Sequence, residues 1–439
     1  IVTENITLYA QWALNTSENT TLPTDVDDLA TTDIVVNGGH TLTLQAGTTT
    51  INSLTLKGGL LGANSESGYA MPSVVIPDNA TLVRKNTTIN LDLVVNSDSW
   101  YPFAVPFAVA NNGNIDYLDP VLKAASTYNT HFAIKTYDGE NRAKVGTDQE
   151  NNWDKVLQTA GLQPGKGYII SALTYPEKDT ATIRIPMTVP NEWLADGEQT
   201  TVNEVTRNTV AVTAYTGDAA TEHQRHAGWN FVANPYLSNF TGGTNPSNVE
   251  GSFINGEIII NKGNYDYGGE DVPYVTIPTY NFAHYYQVKL SAATLSPAYS
   301  FFVQVGESGT MTFETAGRQA APASIAARNA EERPVKMDVD ITLSDNHSSD
   351  QTGIIISARY SEAYEIGRDL EKLFGSAYNL SVYTLMADNT PLAFQALAIR
   401  SSMQVIPVGY RTPAQGEYTF RLNEATSSID LLNEQYEQL

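Results

Sequence analysis

Apolar and polar residues alternate at a period of two along most of this chain, the pattern of strands with one buried face. Four short runs come first. They are Ile34-Val-Val-Asn-Gly-Gly-His-Thr-Leu-Thr-Leu44, Ile51-Asn-Ser-Leu-Thr-Leu-Lys-Gly-Gly59, Val74-Val-Ile-Pro-Asp-Asn-Ala-Thr-Leu82 and Ile89-Asn-Leu-Asp-Leu-Val-Val95. Asn-Gly, Gly-Gly and Asp-Asn punctuate them as turns. Each run is too short to bury a face alone, so residues 33–96 read as stacked rungs of a short β-solenoid, with a plain sheet as the alternative. Residues 13–32, polar and without period, read as a linker after a strand-like 1–12. The best helical stretches are Asp119-Pro-Val-Leu-Lys-Ala-Ala and Trp153-Asp-Lys-Val-Leu-Gln-Thr-Ala.

Residues 97–317 carry a degenerate duplication. The first copy holds Trp100-Tyr-Pro-Phe-Ala-Val-Pro106, then Gly165-Lys-Gly-Tyr-Ile-Ile170, then Thr180-Ala-Thr-Ile-Arg-Ile-Pro186. The second holds Trp229-Asn-Phe-Val-Ala-Asn-Pro235, then Ala298-Tyr-Ser-Phe-Phe-Val303, then Gly309-Thr-Met-Thr-Phe-Glu314. In each, a Trp strand ends at a proline, which cannot donate to a ladder, and an aromatic strand and a closing strand follow after a long insert. Two β-sandwich lobes packed on each other follow, with Trp100 and Trp229 expected at equivalent positions. Residues 318–334 abandon alternation and read as an interdomain linker, whose arginines 318, 328 and 333 invite trypsin. Strand patterns resume over 335–439, at a number and spacing that predict an Ig-like sandwich. The fold class expected is all-β: a short β-solenoid, duplicated β-sandwich lobes and a C-terminal Ig-like β-sandwich.

Composition narrows the function. The 25 basic and 48 acidic residues leave a net charge of -23, which repels nucleic acid and anionic membranes. With no cysteine, thiol catalysis, thiolate metal sites and disulfides are excluded. No apolar run approaches the roughly 20 residues of a membrane-spanning helix. Ile1-Val-Thr-Glu-Asn-Ile-Thr opens inside a strand pattern rather than a signal peptide, which reads as a chain trimmed at its start.

Two resemblances organise these observations. Thr7-Leu-Tyr-Ala-Gln-Trp12 resembles the closing strand of an internalin B-type (Listeria-Bacteroides) repeat, a small β module recurring on bacterial surface proteins. Gly-Trp-Asn-Phe-Val-Ala-Asn-Pro-Tyr (228–236), Ser-Phe-Phe-Val-Gln (300–304) and the sandwich-like region after them resemble the C-terminal regions of large Bacteroidota surface and secreted proteins. That resemblance implies a cell-surface or extracellular location and carries no catalytic residue; nothing here looks like a type IX sorting domain.

Candidate chemistry is sparse. His223-Gln-Arg-His226 lacks a His-Glu-x-x-His frame and a nearby third ligand, so it reads as a polar loop. Gly306-Glu-Ser-Gly-Thr310 lacks nucleophile-elbow spacing and Gly165-Lys-Gly-Tyr lacks the phosphate-loop spacing; both read as turns. No cofactor is called for, and Ca²⁺ is the one ion that the acidic loops Asp25–Asp28, Gly268–Asp271 and Ser344–Asp350 would suit. Tyr265, Tyr267, Tyr274 and Tyr280 stand among Asn, Asp and Gly, as ring-bearing binding loops do, and are the candidate ligand-binding residues. The expected function is a non-enzymatic adhesin or structural protein binding an extracellular glycan or protein. The alternative is a carbohydrate-binding or positioning appendage of a larger secreted enzyme.

Overall fold

The computed structural model describes residues 13–15, 19–22, 29–60, 69–77, 79–86, 88–96, 99–125, 132–146, 152–172, 180–189, 192–194, 198–199, 209–241, 258–261, 274–278, 282, 285–289, 294–313, 318–319, 337–344, 349–357, 360–375, 380–398 and 405–422. The chain is all-β, with helices confined to short connections.

Parallel stacking builds the first part. Strands β1 (Ala13–Asn15), β3 (Asp33–Asn37), β6 (Ser53–Leu60) and β9 (Thr88–Asn96) pair side by side in parallel. So do β2 (Thr20–Leu22), β4 (Thr41–Leu44) and β7 (Ser73–Val75) on a second face, and β5 (Gly47–Ile51) with β8 (Ala80–Arg84) on a third. The two full circuits, residues 33–51 and 53–84, each add one strand to each face, which is solenoid geometry. The registers place like on like: Ile34, Leu54 and Ile89 stack in one buried column, and Val36, Leu56 and Leu91 in the next. Burying each such side chain contributes about 1.5–3 kcal/mol, which an isolated rung could not collect. Residues 13–32 are therefore more than the expected linker. Their strands β1 and β2 extend two solenoid faces, and Asn19 Oδ1 accepts the Thr41 amide at 2.9 Å.

The two lobes repeat one topology. In the first, β10 (Trp100–Phe103), β14 (Tyr168–Ala172), β12 (Phe132–Tyr137) and β13 (Trp153–Lys155) form one sheet in that spatial order. Strand β15 (Thr180–Thr188) lies between β9 and β11 (Asp116–Tyr117) in the other. In the second lobe, β17 (Trp229–Ala233), β21 (Ser300–Gln304), β19 (Tyr274–Pro278) and β20 (Tyr285–Lys289) form a sheet of the same order. Strand β22 (Gly309–Phe313) lies between β16 (Thr209–Val212) and β18 (Ile258–Asn261). Registers agree as well: Trp100 faces Ser171 as Trp229 faces Gln304, so Tyr168, Ile169 and Ile170 correspond to Phe301, Phe302 and Val303. The Trp segments occupy equivalent strands.

Strand alternation then divides the aromatic strands. Tyr168 and Ile170 enter the first lobe's core, and Phe301 and Val303 the second's. The equivalent pair Ile169 and Phe302 points outward on both sheets, into one shared cluster with Trp100, Tyr137, Trp153, Trp229 and Phe231. Equivalent faces thus meet, as in an isologous dimer held within one chain. The backbone repeats the relation: Ala233 N donates to Gly165 O, and the equivalent Ala104 N donates to Ala298 O, both at 2.9 Å. Gly165 and Ala298 both take positive φ, 75° and 53°.

Several sequence expectations need correction. No boundary falls at residue 96, because β9 pairs with β6 of the solenoid on one side and with β15 of the first lobe on the other. One buried core runs from Leu22 through Ile185 to Leu237. Helix α1 (Pro120–Ala125) forms as expected, but Trp153–Lys155 is a strand paired with β12, and the helix nearby is α2 (Gly139–Val145), capped by Asp138. The Trp153 ring packs at 5.1 Å from Tyr137 and 5.4 Å from Phe231, a tertiary pull stronger than the local helix preference. Arg318–Gln319 pair with Asn239–Phe240, so these two residues belong to the second lobe; 320–334 lie outside the described residues.

In the third part, β23 (Met337–Ser344), β24 (Ser349–Ser357), β25 (Leu370–Glu371), β26 (Ser381–Leu385), β27 (Pro391–Ala398), β28 (Val408–Arg411) and β29 (Thr419–Leu422) form one seven-stranded sheet. An Ig-like sandwich would divide them between two antiparallel sheets; here β24 and β27 pair in parallel. The end strands approach each other, with the Tyr410 and Phe420 rings 5.5 Å apart.

Candidate functional site

The Gly-Trp-Asn…Asn-Pro-Tyr run places its polar groups in structural roles. Gly228 takes φ of 67°, and a Cβ there would sit 1.8 Å from Val305 O, so only glycine fits. Trp229 is fully buried and its Nε1 donates to Arg225 O at 2.7 Å. The Asn230 side chain donates to Thr213 O and accepts Thr213 N, both at 2.9 Å, fixing the end of β16. Asn234 Nδ2 donates to Ser238 O and Leu295 O, and its Oδ1 takes the Tyr236 amide. Tyr236 OH donates to Phe313 O at 2.5 Å, closing the lobe. A motif so fully spent on backbone groups is a folding element.

A cluster of buried and half-buried charge joins the three parts. The Arg142 guanidinium of α2 lies 4.1 Å from the Trp229 ring and meets Glu371 of β25 at 3.0 Å. Burial works to lower the Arg142 pKa, while Tyr137 and Glu371 beside it hold it above the usual value, so the cation persists. The other Glu371 oxygen is 3.5 Å from Arg225 Nε. Around this pair, Gln287 Nε2 donates to Glu371 O, Gln287 Oε1 accepts Leu373 N, and Tyr364 OH donates to Gln304 Oε1. Burial also drives the Tyr364 hydroxyl far above its ordinary range, so it stays protonated and donating. These groups hold one another, and each connects two parts of the molecule.

Beside this staple, on the junction of the two lobes, opens a cleft of about 320 Å³. Its walls include Tyr137, Lys166, Ala211, Thr213, Tyr215 and Asn230. Lys166, Ala211 and Thr213 are exposed, and the two tyrosines are half-buried. The cleft floor is rigid: a Cβ on Gly139 would come within 2.1 Å of Trp229 O and 2.6 Å of the Tyr215 ring. Lys166 bridges to Val232 across the lobes, so its main chain is held while its side chain reaches solvent. Rings, one cation and hydroxyls over a fixed backbone suit recognition of a polar ligand.

Tyr265, Tyr267 and Tyr280 fall outside the described residues; Tyr274 opens β19, opposite Lys289, and only its backbone is described. His223 and His226 sit edge to face, their rings 6.2 Å apart, in the turn before Trp229. Of the acidic loops, Asp25–Asp28 and Gly268–Asp271 lie outside the described residues. The third ends in Asp350, whose Oδ2 is taken by Lys372 Nζ at 2.6 Å and the Val382 amide at 2.7 Å. Among the described residues, no three metal-ligating side chains gather. Ser308 Oγ accepts the Ala214 amide at 2.9 Å in a strand-to-strand turn. Among the described residues no helix is long and apolar enough to cross a membrane.

Sequence reading touched the cleft at Gly165-Lys-Gly, read as a turn, and missed Tyr137 and Tyr215, which stand on separate elements far apart in sequence. No family model matches the chain, and no curated protein or solved structure matches it.

Proposed function

We propose that this chain belongs to a non-enzymatic cell-surface or secreted protein of the Bacteroidota type, an adhesin or structural protein whose inter-lobe cleft holds an extracellular glycan or protein ligand. One observation carries the reading. The buried polar and charged groups of the motif and the staple are consumed in holding the parts together, whereas the cleft beside them offers Tyr137, Tyr215, Thr213 and the exposed Lys166 to solvent. A net charge of -23 and the absence of cysteine fit an extracellular β-scaffold that repels nucleic acid. The test is a glycan and protein-ligand array probed with the intact chain, then with Lys166→Ala and Tyr215→Ala. The expected result is a ligand whose binding falls at least tenfold in both variants, with melting temperatures within a few degrees of wild type. Ligand binding indifferent to both substitutions would displace the cleft from this role. Turnover of a hydrolase substrate, abolished by replacing one carboxylate, would make the protein an enzyme.

A further inference from the structure

The two lobes differ at one equivalent edge, and the difference points to a partner. In the first lobe the strand preceding the Trp strand is β9, flanked by the closing strand β15 on one side and by β6 on the other. The β6 pairing is parallel and runs from Leu54 opposite Ile89 to Gly59 opposite Val94. In the second lobe the corresponding strand is β16, flanked by its closing strand β22. Among the described residues, nothing pairs with its other edge.

Strand β16 keeps the alternation of a strand built for two neighbours. Val210 and Val212 are buried in the lobe core, and Ala211 and Thr213 face outward with small side chains. Natural sheet edges are usually blunted by charge, proline or a bulge. Thr209-Val-Ala-Val212 carries no charge and no proline, and all four residues pair in regular register with β22. The inter-lobe cleft lies against this strand, with Val210, Ala211 and Thr213 on its wall together with Tyr215, Tyr137 and Lys166.

We infer that the open edge of β16 is a strand-acceptor site: an extended segment of a partner protein, apolar at alternate positions as Leu54 and Leu56 are in β6, adds to the sheet in parallel. Main-chain hydrogen bonds give such pairing its affinity, and flanking pockets give it specificity. Here the flanking wall is the cleft, whose rings and lysine meet the side chains of the incoming strand. The first lobe shows the filled state of the same edge, occupied in cis by the solenoid. The inference deepens the proposal of a recognition cleft and rests on it, by naming an extended peptide as the ligand class.

The experiment uses the whole chain and a fluorescein-labelled peptide of the 53–60 sequence, Ser-Leu-Thr-Leu-Lys-Gly-Gly-Leu, with a control bearing proline in place of Leu54 and Leu56. Fluorescence anisotropy should show saturable binding of the first peptide only. Hydrogen–deuterium exchange should show new protection at the amides of 209–212 that point away from β22, Thr213 N being already held by Asn230. Ala211→Lys, which adds the charge that blunts natural edges, should weaken binding at least tenfold while leaving the melting temperature within a few degrees. Should that variant fail to fold, Lys166→Glu and the exchange pattern of the wild type carry the test. Slow exchange, in the free chain, at the amides of 209–212 that point away from β22 would mean that the chain covers its own edge, and protection growing with protein concentration alone would mean a second copy does; either overturns the inference. Glycan capture by the cleft without peptide binding would preserve the recognition reading and overturn the strand site.

Discussion

At the scale of single residues, the repeat is recorded most sharply where it costs energy. Gly165 and Ala298 are equivalent, both with positive φ, and each carbonyl accepts the amide of an alanine from the other lobe. Glycine takes that conformation freely, whereas in alanine the approach of Cβ to the backbone costs about 1–2 kcal/mol. Ala298 is buried and its chain position is fixed by Ala104 and the start of β21, so the strain is held by packing. Ala298→Gly is therefore expected to raise stability by about 0.5–1 kcal/mol, net of the entropy glycine adds to the unfolded chain. Urea unfolding at matched m-value reads this directly. The same change at Ala104, whose backbone is not left-handed, should destabilise instead. Neither fact was visible in the sequence, where Gly165 and Ala298 aligned as unlike residues.

At the scale of elements, period-two patterning was legible because strands with one dry face leave that mark residue by residue. The solenoid could be read from Ile34, Leu54 and Ile89, each preceded by a polar residue and recurring in short runs of alternating pattern, and the stack places all three in one column. The duplication was legible from two tryptophans and two prolines, since Trp, aromatic and β-branched residues recur wherever a strand is buried on both faces. What could not be read was anything decided by partners distant in sequence. Trp153-Asp-Lys-Val-Leu-Gln has helical spacing, yet Trp153 is drawn into the ring cluster with Tyr137, Phe231, Phe282 and Phe302. Strand β9 looks like the last solenoid rung and is also the first strand of a lobe, because Asp92 lies opposite Arg184 and holds it with two hydrogen bonds of 2.8 and 2.7 Å. Local composition says that Asp92 is polar; only the pairing says that it ties two parts together. The cleft was hidden for the same reason, its tyrosines being neighbours only after both lobes have docked.

At the scale of the whole molecule, Glu371 is the residue through which the third part meets both lobes. Its partner Arg142 is nearly inaccessible, so removing the carboxylate strands a buried cation. Glu371→Ala should cost about 3–5 kcal/mol, because a buried charge left without its counter-ion retains its desolvation penalty. Asp388→Asn, which keeps the Oδ1 acceptor for the Thr390 amide and removes the charge from the half-exposed 3.8 Å contact with Arg225, should cost under about 1 kcal/mol. Urea unfolding of the two variants distinguishes a structural staple from surface decoration. Equal effects would show that the contacts among the three parts contribute little to stability.

The same junction is pH-dependent through Asp369, two residues before the staple. Asp369 is buried, accepts the Ala396 amide at 2.8 Å and the Glu365 amide at 2.7 Å, and has Glu365 and Arg368 as its charged neighbours. Burial pushes its pKa up to about 7, with the Glu365 charge adding to the rise and the two amides and Arg368 opposing it. The folded chain therefore binds this proton more tightly than the unfolded chain, in which an aspartate titrates near its ordinary value of about 3.9. Its contribution to stability is fully present below about pH 4 and is lost as pH rises towards 7, at up to about 1.4 kcal/mol per pH unit. Other carboxylates titrate over the same range, so the decisive quantity is the difference between wild type and Asp369→Asn in urea unfolding. That difference should change steadily between pH 4 and 7, in the direction that favours the wild type in acid, and level off above about pH 8. A difference independent of pH would mean that Asp369 is ionised throughout, with its two amide hydrogen bonds outweighing the cost of burying the charge.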